Sequence, residues 1–414
     1  MGWNFALTEL LGAPAYDSSG ALAGRVREVA LCPQEDSTRV AALIVRTRHG
    51  DRLLPASAIV SAEGGVHAST PQPDWVAYAG PEGLLLLGRD LLDQQIIDVH
   101  GRKVVRVNDV NLHGDRQNHH AVLRIAAVDV GSRGAVRRLL RGLVPFAVLR
   151  KLLAKIPEKA IPWEFVDLIE TDPARRVKLK IAHERLARLH PADIADIVEE
   201  LAPAEREAVF ETLDEEVAAE ALEEVTPKVQ QSIIRSLDSE RAADIVEEMD
   251  PDAAADLLAD LPPEHSEEIL DEMEPAERKE VEELLEFRED TAAGRMTTDY
   301  LALSPAGKVE DAIELLRNFE GGVETVSTIY LVGEDGKLAG AVPLAKLVLA
   351  SPGTPVLQLS SQPVISVHAG ANEQEVAATF DKYNLFTLPV VDEAGVLTGV
   401  ITADDVISLL RARL

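Results

Sequence analysis

The chain has 414 residues, of which 46% are hydrophobic and 27% are charged. At roughly 150 residues per domain, this length predicts about three domains, and the apolar fraction is too high for a disordered chain. Its 41 basic and 71 acidic side chains give a formal charge of −30, which argues against nucleic acid as a partner because phosphates would be repelled. The single cysteine, Cys32, excludes an internal disulfide and a thiolate metal cage.

No apolar run approaches the roughly 20 residues that span a bilayer. The longest runs, 143–149 and 339–350, are short, and the second contains Lys346. The N-terminal sequence MGWNFALTELL lacks the basic start and the long apolar stretch of a signal peptide. We therefore expect a soluble cytoplasmic protein, and a peripheral position at the inner face of the membrane stays open.

Residues 1–170 are predicted to be β-rich, because short Val/Ile/Leu runs alternate with Gly, Asp and Pro turns. An internal repeat relates residues 10–31 to residues 91–112. Asp17 and Gly20 recur as Asp98 and Gly101, which predicts a hairpin turn with glycine at positive φ. The pattern predicts two small β-barrels, at 1–80 and 81–172. Each resembles the PRC-barrel family, which implies docking and no chemistry.

An insertion at 133–159 interrupts the second barrel. Seven basic residues and no acidic residue lie between Arg133 and Lys155, and its leucines and valines share one helical face until Pro145 interrupts the pattern. A basic amphipathic segment can bind an anionic membrane surface or an acidic partner, and it can also pack on the barrel as an ordinary surface helix. The sequence leaves these interpretations open.

The segment 175–288 contains a strict 12-residue repeat. Proline occupies the third place of most units, where it fits the first helical turn because its missing N–H would have no partner there. Each unit is therefore predicted to be a short helix, and the units must stack into an all-α helical solenoid, which we expect to be right-handed. The repeating apolar positions are Leu189, Leu201, Leu213, Val225, Leu237, Met249, Leu261, Met273 and Leu285.

Charge adds a second, 24-residue period to this segment. Residues 189–285 contain 32 acidic and six basic side chains. Crowding of like charges costs on the order of 1 kcal/mol for a close solvated pair, so this density exceeds what solubility requires, although a merely soluble surface stays an alternative. The recurring acidic pairs are Glu199-Glu200, Glu223-Glu224, Glu247-Glu248 and Asp271-Glu272.

The remaining chain is predicted to be α/β and is internally duplicated. Gly336 aligns with Gly395, and Gly340 aligns with Gly399. Each half has a helix with an apolar period near 3.6, two strands joined by a glycine turn, and a final helix. The run LPVVDEAGVLTGVITADDV resembles the CBS family, which divides the segment into domains at 289–353 and 354–414. The resemblance implies one disc and a homodimer formed through the CBS pair.

The solenoid, the joining run FREDTAAGRMTTDYLAL and the CBS pair together resemble the cytosolic region of the MgtE magnesium-transporter family over residues 175–414. The tandem PRC-like region is foreign to that family's plan, and without a pore the chain alone is not expected to transport ions. The resemblance implies that Mg²⁺ bridges carboxylates of the solenoid and the CBS pair. The family's metal positions correspond here to Asp252, Asp256 and Asp405, and its backbone ligand corresponds to Gly294.

The chain departs from the family's metal pattern at four positions where neutral residues replace acids: Asn372, Gln374, Asn384 and Ser408. CBS pairs also bind adenine nucleotides, and Thr402 with Asp405 matches the usual signal in the second half. Pro343 and Lys346 stand at the equivalent places of the first half, so one nucleotide site at most is expected. Thr-x-x-Asp is also a good helix N-cap, and Asp405 is shared by the metal and nucleotide hypotheses.

No HExxH, CxxC or GxSxG motif is present, so an enzyme is not expected. The first hypothesis is a regulatory protein that binds a divalent cation, Mg²⁺ above all, between the acidic solenoid and the CBS pair and signals to a separate partner such as a membrane metal transporter. The second is an acidic scaffold with a dimerising CBS pair. The third is an adenine-nucleotide sensor without a metal role.

Overall fold

The computed structural model describes residues 3–62, 64–81, 83–117, 120–139, 157, 159–169, 185–288, 290–319, 326–360 and 363–412. The chain divides into two compact units, Met1–Ser236 and Leu237–Leu414. Residues 140–156, which form most of the predicted basic segment, lie outside the described residues.

The first unit begins with a β-rich region, as the sequence predicts. It also contains the short helices α1 (Leu7–Leu10), α2 (Leu87–Asp90) and α3 (Ser132–Leu139). Its described strands are β1 (Trp3–Ala6), β2 (Pro14–Tyr16), β3 (Leu22–Cys32), β4 (Asp36–Thr47), β5 (Gly50–Pro55), β6 (Ile59–Ser61), β7 (Val66–Ala68), β8 (Val76–Ala77), β9 (Leu85–Leu86), β10 (Gln95–Asp98), β11 (Lys103–Arg106), β12 (Asp109–Gln117), β13 (His120–Asp129), β14 (Ala160–Pro162) and β15 (Val166–Leu168).

Strands from both sequence repeats join in one sheet with the order β1-β12-β13-β4-β3-β2-β7-β6. Strand β1 pairs with β12 of the second repeat, and β13 meets β4 where Arg124 lies opposite Arg39. One apolar core contains buried residues of both predicted β-domains, 1–80 and 81–172, among them Leu43 and Leu123. The β-rich character is confirmed. The division into two PRC-like barrels stays a prediction.

The repeated turns differ in one respect from the sequence-based expectation. Gly20 has φ +81°, as expected, but in the second repeat Arg102 has the positive φ of 49° instead of Gly101. Gly101 is needed for a different reason, because a Cβ at this position would collide with the carboxylate of Asp98. Asp98 accepts a hydrogen bond from the Gly101 N–H at 2.9 Å, which closes the turn.

Helix α3 contains the first basic residues of the predicted amphipathic segment, and one of them is buried. Arg137 donates from Nη1 to Asp109 Oδ2 at 2.8 Å, and Asp109 is fully buried. Thr8 donates to the same oxygen at 2.5 Å. A buried ion pair with a second hydrogen-bond donor is costly to break, so Arg137 serves the β-rich core and is not available to a membrane surface.

The helical repeat is confirmed, and each of the six prolines at the third place of a unit is the first residue of a helix. The 12-residue apolar positions fall at or just beyond the helix ends, where Leu201, Val225 and Met273 are buried C-caps. The described helices are α4 (Pro191–Glu200), α5 (Pro203–Phe210), α6 (Glu215–Glu224) and α7 (Pro227–Ile234) in the first unit, and α8 (Ser239–Glu247), α9 (Pro251–Ala259), α10 (Pro263–Glu272) and α11 (Pro275–Leu285) in the second.

Within each unit, a helix packs against the helix two positions along the chain. Helix α4 contacts α6 and α5 contacts α7, while α8 contacts α10 and α9 contacts α11. Helices of this length are marginal alone, so packing between alternate neighbours supplies their stability. The handedness of the predicted solenoid stays a prediction.

Two of the acidic pairs of the longer charge period bond to the starts of helices. Glu199 accepts a hydrogen bond from the backbone N–H of Thr226 at 2.9 Å, and Glu247 accepts one from the N–H of Glu274. Thr226 and Glu274 are each the N-cap of a later helix of the repeat. Part of the charge period therefore satisfies backbone donors and is not free for ligands.

The first unit ties its β-rich region to the start of the helical repeat. Arg102 forms an ion pair with Asp193 of α4 at 2.9 Å, and the N–H of Val104 on β11 donates to Glu200 at 3.0 Å. Because β11 is the edge of the sheet β11-β10-β15, Glu200 satisfies a backbone donor that this edge leaves open. Leu186, just before α4, is fully buried.

The second unit continues into two matching α/β halves, as predicted. Each half has a three-stranded sheet, and the glycine turns at Gly336 and Gly395 have φ +75° and +82°. These turns meet each other, since Leu397 N–H donates to Gly336 O and Leu338 N–H donates to Gly395 O, both at 3.1 Å. The elements are β16 (Ala302–Leu303), α12 (Val309–Arg317), β17 (Thr328–Val332), β18 (Leu338–Pro343), α13 (Leu344–Leu349), β19 (Val367–His368), α14 (Glu373–Tyr383), β20 (Thr387–Val391), β21 (Leu397–Thr402) and α15 (Ala403–Ala412).

Candidate metal site

The segment that joins the helical repeat to the first α/β half is fixed to the second half. The N–H groups of Ala292 and Ala293 donate to the carbonyls of Ala371 and Ala369 at 2.7 and 2.9 Å. Thr297 and Val400 exchange two backbone hydrogen bonds, at 2.8 and 2.9 Å. Side chains on this segment therefore have fixed positions beside both α9 and the start of α15.

An acidic cavity of about 40 Å³ lies where α9, the joining segment and the start of α15 meet. Thr297, Tyr330 and Thr402 contribute hydroxyl groups to its wall, and no lysine, arginine or histidine among the described residues lines it. A cavity of this size can hold an ion with a few waters. Five carboxylates line it: Asp250, Asp252, Asp299, Asp404 and Asp405.

Asp252 connects the helical repeat to this cavity. It lies in the first turn of α9 and is half-buried. Withdrawal from solvent raises the pKa of Asp252 well above the ordinary value, and the nearby carboxylates of Asp405, Asp250 and Asp256 raise it further. Its charged form therefore lacks compensation, which a proton or a cation can supply.

Asp405 faces Asp252 from the first turn of α15. Its Oδ2 accepts hydrogen bonds from the N–H and the hydroxyl of Thr402, at 2.9 and 2.7 Å. Burial raises the pKa of Asp405 to about 6, although these two bonds oppose the rise. The Thr402–Asp405 pair is therefore a helix cap in this structure, which is one of the roles that its spacing predicts.

Two further aspartates strengthen the negative potential of the cavity. Partial withdrawal of its carboxyl group from solvent raises the pKa of Asp299 to about 6, although the residue as a whole is exposed, and the charges of Asp250 and Glu280 add to the shift. Burial also raises the pKa of Asp250, with a further contribution from Asp404. These like charges repel one another, and a counter-ion in the cavity would relieve the repulsion.

Asp256 and Gly294 lie in a neighbouring cleft of about 430 Å³, which Asp252 also lines. Asp256 accepts a hydrogen bond from Arg295 Nη1 at 2.7 Å. The structure therefore brings together Asp252 and Asp405 in the acidic cavity, and Asp252, Asp256 and Gly294 in the neighbouring cleft. It does not bring all four predicted metal residues into one cavity.

The donors of the acidic cavity suit a hard divalent cation, because all of them are oxygens. Within the part of the chain that the structure describes, no group of three or more His, Cys, Asp or Glu side chains is arranged to hold a metal ion. Magnesium keeps several waters and needs only one or two carboxylates from a protein. Asp252 and Asp405 would hold such a hydrated ion, which would supply the compensating positive charge.

Two of the neutral residues at the family's metal positions have structural roles. Asn372 is the N-cap of α14 and accepts a hydrogen bond from the Glu375 N–H at 3.0 Å. Asn384 ends the same helix with φ +54°, a conformation that asparagine tolerates better than most residues. Their place in this chain is explained by helix capping without a metal.

Sequence reasoning missed Asp250, Asp299, Asp404 and Arg295. Arg295 and Asp299 lie in the joining run, where the family resemblance assigns a role to Gly294 alone. Asp404 stands beside Asp405, and Asp250 precedes the proline that opens α9, so both look like ordinary capping residues. Nothing in the sequence spacing of the three aspartates predicts that they line one cavity.

Two family models match the chain next to each other. The MgtE intracellular N domain matches residues 189–290, and the CBS domain matches residues 292–353 and 356–412. No helix among the described residues has the length and apolar character that crossing a membrane requires.

Three of the curated relatives are magnesium transporters. The chain is 39% identical to the magnesium transporter MgtE of Thermus thermophilus over 135 residues, which are 33% of this chain and 30% of that protein. It is 31% identical to the magnesium transporter MgtE of Enterococcus faecalis over 134 residues, which are 32% of this chain and 30% of that protein. The matched region thus spans less than a third of these relatives.

Two solved structures resemble just over half of the chain. The cytosolic domain of the Mg²⁺ channel MgtE in complex with ATP is 34% identical, and the match covers 56% of this chain and 94% of that chain with a TM-score of 0.52. The soluble part of a magnesium transporter is 26% identical, with 56% and 91% covered and a TM-score of 0.53.

Proposed function

We propose that this chain, whose MgtE intracellular N domain and CBS pair are homologous to the cytosolic region of MgtE magnesium transporters, is a regulatory protein that binds a divalent cation. Mg²⁺ binds in the acidic cavity, where Asp252 of the helical repeat and Asp405 of the CBS pair supply carboxylate oxygens. Binding holds α9 against the start of α15, and the change is passed to a separate partner such as a membrane metal transporter.

The observation that carries this proposal is the meeting of Asp252 and Asp405 in a cavity lined by five carboxylates and by no basic side chain among the described residues. Their mutual repulsion weakens the contact between α9 and α15 in the absence of a cation. A divalent ion reverses the sign of this interaction, since it supplies two positive charges and accepts oxygen ligands from both sides.

Magnesium titration followed by limited trypsin digestion tests the proposal. We expect Mg²⁺ to slow cleavage within 237–300 well beyond the effect of NaCl at equal ionic strength. The protection should be lost in the variant Asp252→Asn with Asp405→Asn. The control variant, Asp381→Asn with Glu393→Gln, removes two charges at exposed positions of the CBS pair and should keep it. Equal protection by both salts would favour simple screening and the scaffold hypothesis.

Adenine-nucleotide binding is a second proposal, favoured by the solved relative in complex with ATP and by the Thr402–Asp405 pair. The acidic cavity of about 40 Å³ is far smaller than the roughly 300 Å³ of a typical small-molecule site, so a nucleotide would have to open it. It would also have to displace the Thr402 hydroxyl from Asp405. Protection from trypsin by ATP without Mg²⁺ would favour this function.

A homodimer formed through the CBS pair belongs to the same proposal. Three apolar side chains of this pair are largely exposed: Val348 by 83%, Leu349 by 88% and Phe386 by 75%. Burying such side chains against a second copy would be favourable. The basic segment 133–159 stays a proposed contact with an anionic membrane surface or a transporter partner.

A further inference from the structure

Arg295 lies between carboxylates of the helical repeat and of the second CBS half. Its Nη1 donates to Asp256 Oδ2 on α9 at 2.7 Å, and its Nη2 lies 3.7 Å from Glu373 Oε1 at the start of α14. The side chains of Arg295 and Glu373 are only 26% and 17% exposed. The guanidinium therefore links two elements that would otherwise present like charges to each other.

The position of Arg295 is fixed by its surroundings. The backbone hydrogen bonds of Ala292, Ala293 and Thr297 attach the joining segment to the second CBS half on both sides of it. Its Nε is buried and has no hydrogen-bond acceptor among the described residues. An arginine held in this way loses little further freedom when it pairs with a carboxylate, and the pairing is stronger in a partly desolvated place.

The two neighbouring aspartates of α9, Asp252 and Asp256, thus differ in how their charge is compensated. Asp256 has an arginine within hydrogen-bond distance, whereas Asp252, one helical turn earlier, lines the acidic cavity, which has no basic side chain among the described residues. Only the cavity of Asp252 needs an added cation.

We propose that Arg295 is a built-in cation that holds α9 to the second CBS half with or without a divalent ion. This inference rests on the proposed function. It assigns the binding of Mg²⁺ to Asp252 and Asp405, and it excludes Asp256 from the ligands of the ion. Replacing Arg295 leaves Asp256 and Glu373 without their shared counter-ion. The contact between α9 and the second CBS half then depends on Mg²⁺ at Asp256 and Glu373 as well.

Hydrogen exchange of the α9 amides in the full-length chain tests the inference. In chelator, Arg295→Met should lower the protection of these amides roughly five- to thirtyfold relative to the original chain. Mg²⁺ should then raise their protection by a larger factor in Arg295→Met than in the original chain. The matched control is Arg288→Met, because Arg288 lines the cleft that contains Asp256 but pairs with the exposed Asp290. It should leave the exchange unchanged.

Two further variants separate charge pairing from packing. Asp256→Asn alone should lower the protection in chelator. Asp256→Asn combined with Arg295→Met should recover part of it, because neither partner of this ion pair is then left without the other. Equal protection of Arg295→Met and the original chain in chelator would overturn the inference. A lack of response to Mg²⁺ in the original chain would instead overturn the proposed function, so the two failures are distinguishable.

Discussion

Asp299 and Asp405 make the stability of the protein depend on pH, because their pKa values of about 6 lie above the ordinary 3.8 of an aspartate. A group whose pKa is raised by folding stabilises the folded state fully below the unfolded-state pKa. This contribution is lost as the pH rises through the folded-state pKa. The bare protein should therefore become less stable between about pH 4 and 7.

We predict that in chelator the midpoint of thermal unfolding falls across this pH range. Asp299→Asn with Asp405→Asn should flatten the dependence, because the neutral amides do not titrate. Calorimetry or circular dichroism would measure the midpoints, with Asp381→Asn and Glu393→Gln as the control for loss of exposed charge. If the unfolding midpoint fell more steeply with pH in Asp299→Asn with Asp405→Asn than in the original chain, these two aspartates would not be the source of the pH dependence.

The same carboxylates predict that protons and Mg²⁺ compete. Ligands must be deprotonated before they bind a metal, so Mg²⁺ should raise the unfolding midpoint above about pH 6 and have little effect below about pH 5. The measurement is the difference in midpoint between Mg²⁺ and chelator at each pH. An equal difference at both ends of the range would show that the ion binds elsewhere.

Glu247 permits a test of the capping role of the paired acids. Its carboxylate accepts the N–H of Glu274, the N-cap of α11, whereas the adjacent Glu248 is exposed. Glu247→Ala should lower the free energy of unfolding by about 1 kcal/mol, and Glu248→Ala should leave it nearly unchanged. Denaturant unfolding of both variants would measure the difference. Equal losses of unfolding free energy in the two variants would show that the acidic pairs act through their charge and not through helix capping.

At the scale of elements, the start of each repeat helix follows from local chemistry. A proline fixes φ and lacks an N–H, so its position marks the first turn without reference to the rest of the fold. The prolines that open helices, such as Pro191, Pro203 and Pro227, lie one or two repeat lengths apart, which makes the helix starts readable from the sequence. The glycine turns at Gly336 and Gly395 are predictable because glycine adopts a positive φ at little cost.

Long-range partners were not predictable from these patterns. The hydrogen bond that the Thr226 N–H donates to Glu199 joins two distant turns of the chain, and the pairing of β1 with β12 joins the two predicted β-domains. The match between 10–31 and 91–112 shows that two segments are alike, but it does not show that their strands pair. The ion pairs of Arg295 cannot be predicted either, because sequence spacing does not show which carboxylates surround a single arginine.

A substitution on helix α13 tests the proposed dimer. Leu349→Asp would place a charge on its most exposed apolar position and should shift the mass in solution from dimer to monomer. Val76→Asp is the matched control, because Val76 is also exposed but lies on β8 of the β-rich region. Sedimentation or light scattering measures the mass. An unchanged dimer in Leu349→Asp would place the interface elsewhere.

At the scale of the whole molecule, the acidic composition has more than one role. Some carboxylates cap helices, some pair with fixed arginines, and one group in the second unit lines a cavity without a basic side chain among the described residues. A net charge of −30 attracts cations to the entire surface, so weak general binding is expected of any such chain. Regulation requires a saturable site that differs from this background.

Isothermal titration of the full-length chain with Mg²⁺, in a background of monovalent salt, measures that site most directly. We predict a saturable binding step that disappears in Asp252→Asn with Asp405→Asn and persists in Asp381→Asn with Glu393→Gln. The original chain should also release protons on binding near pH 6, since the ion displaces them from Asp405. A binding curve that is the same in both double variants would contradict the assignment of Mg²⁺ to the acidic cavity.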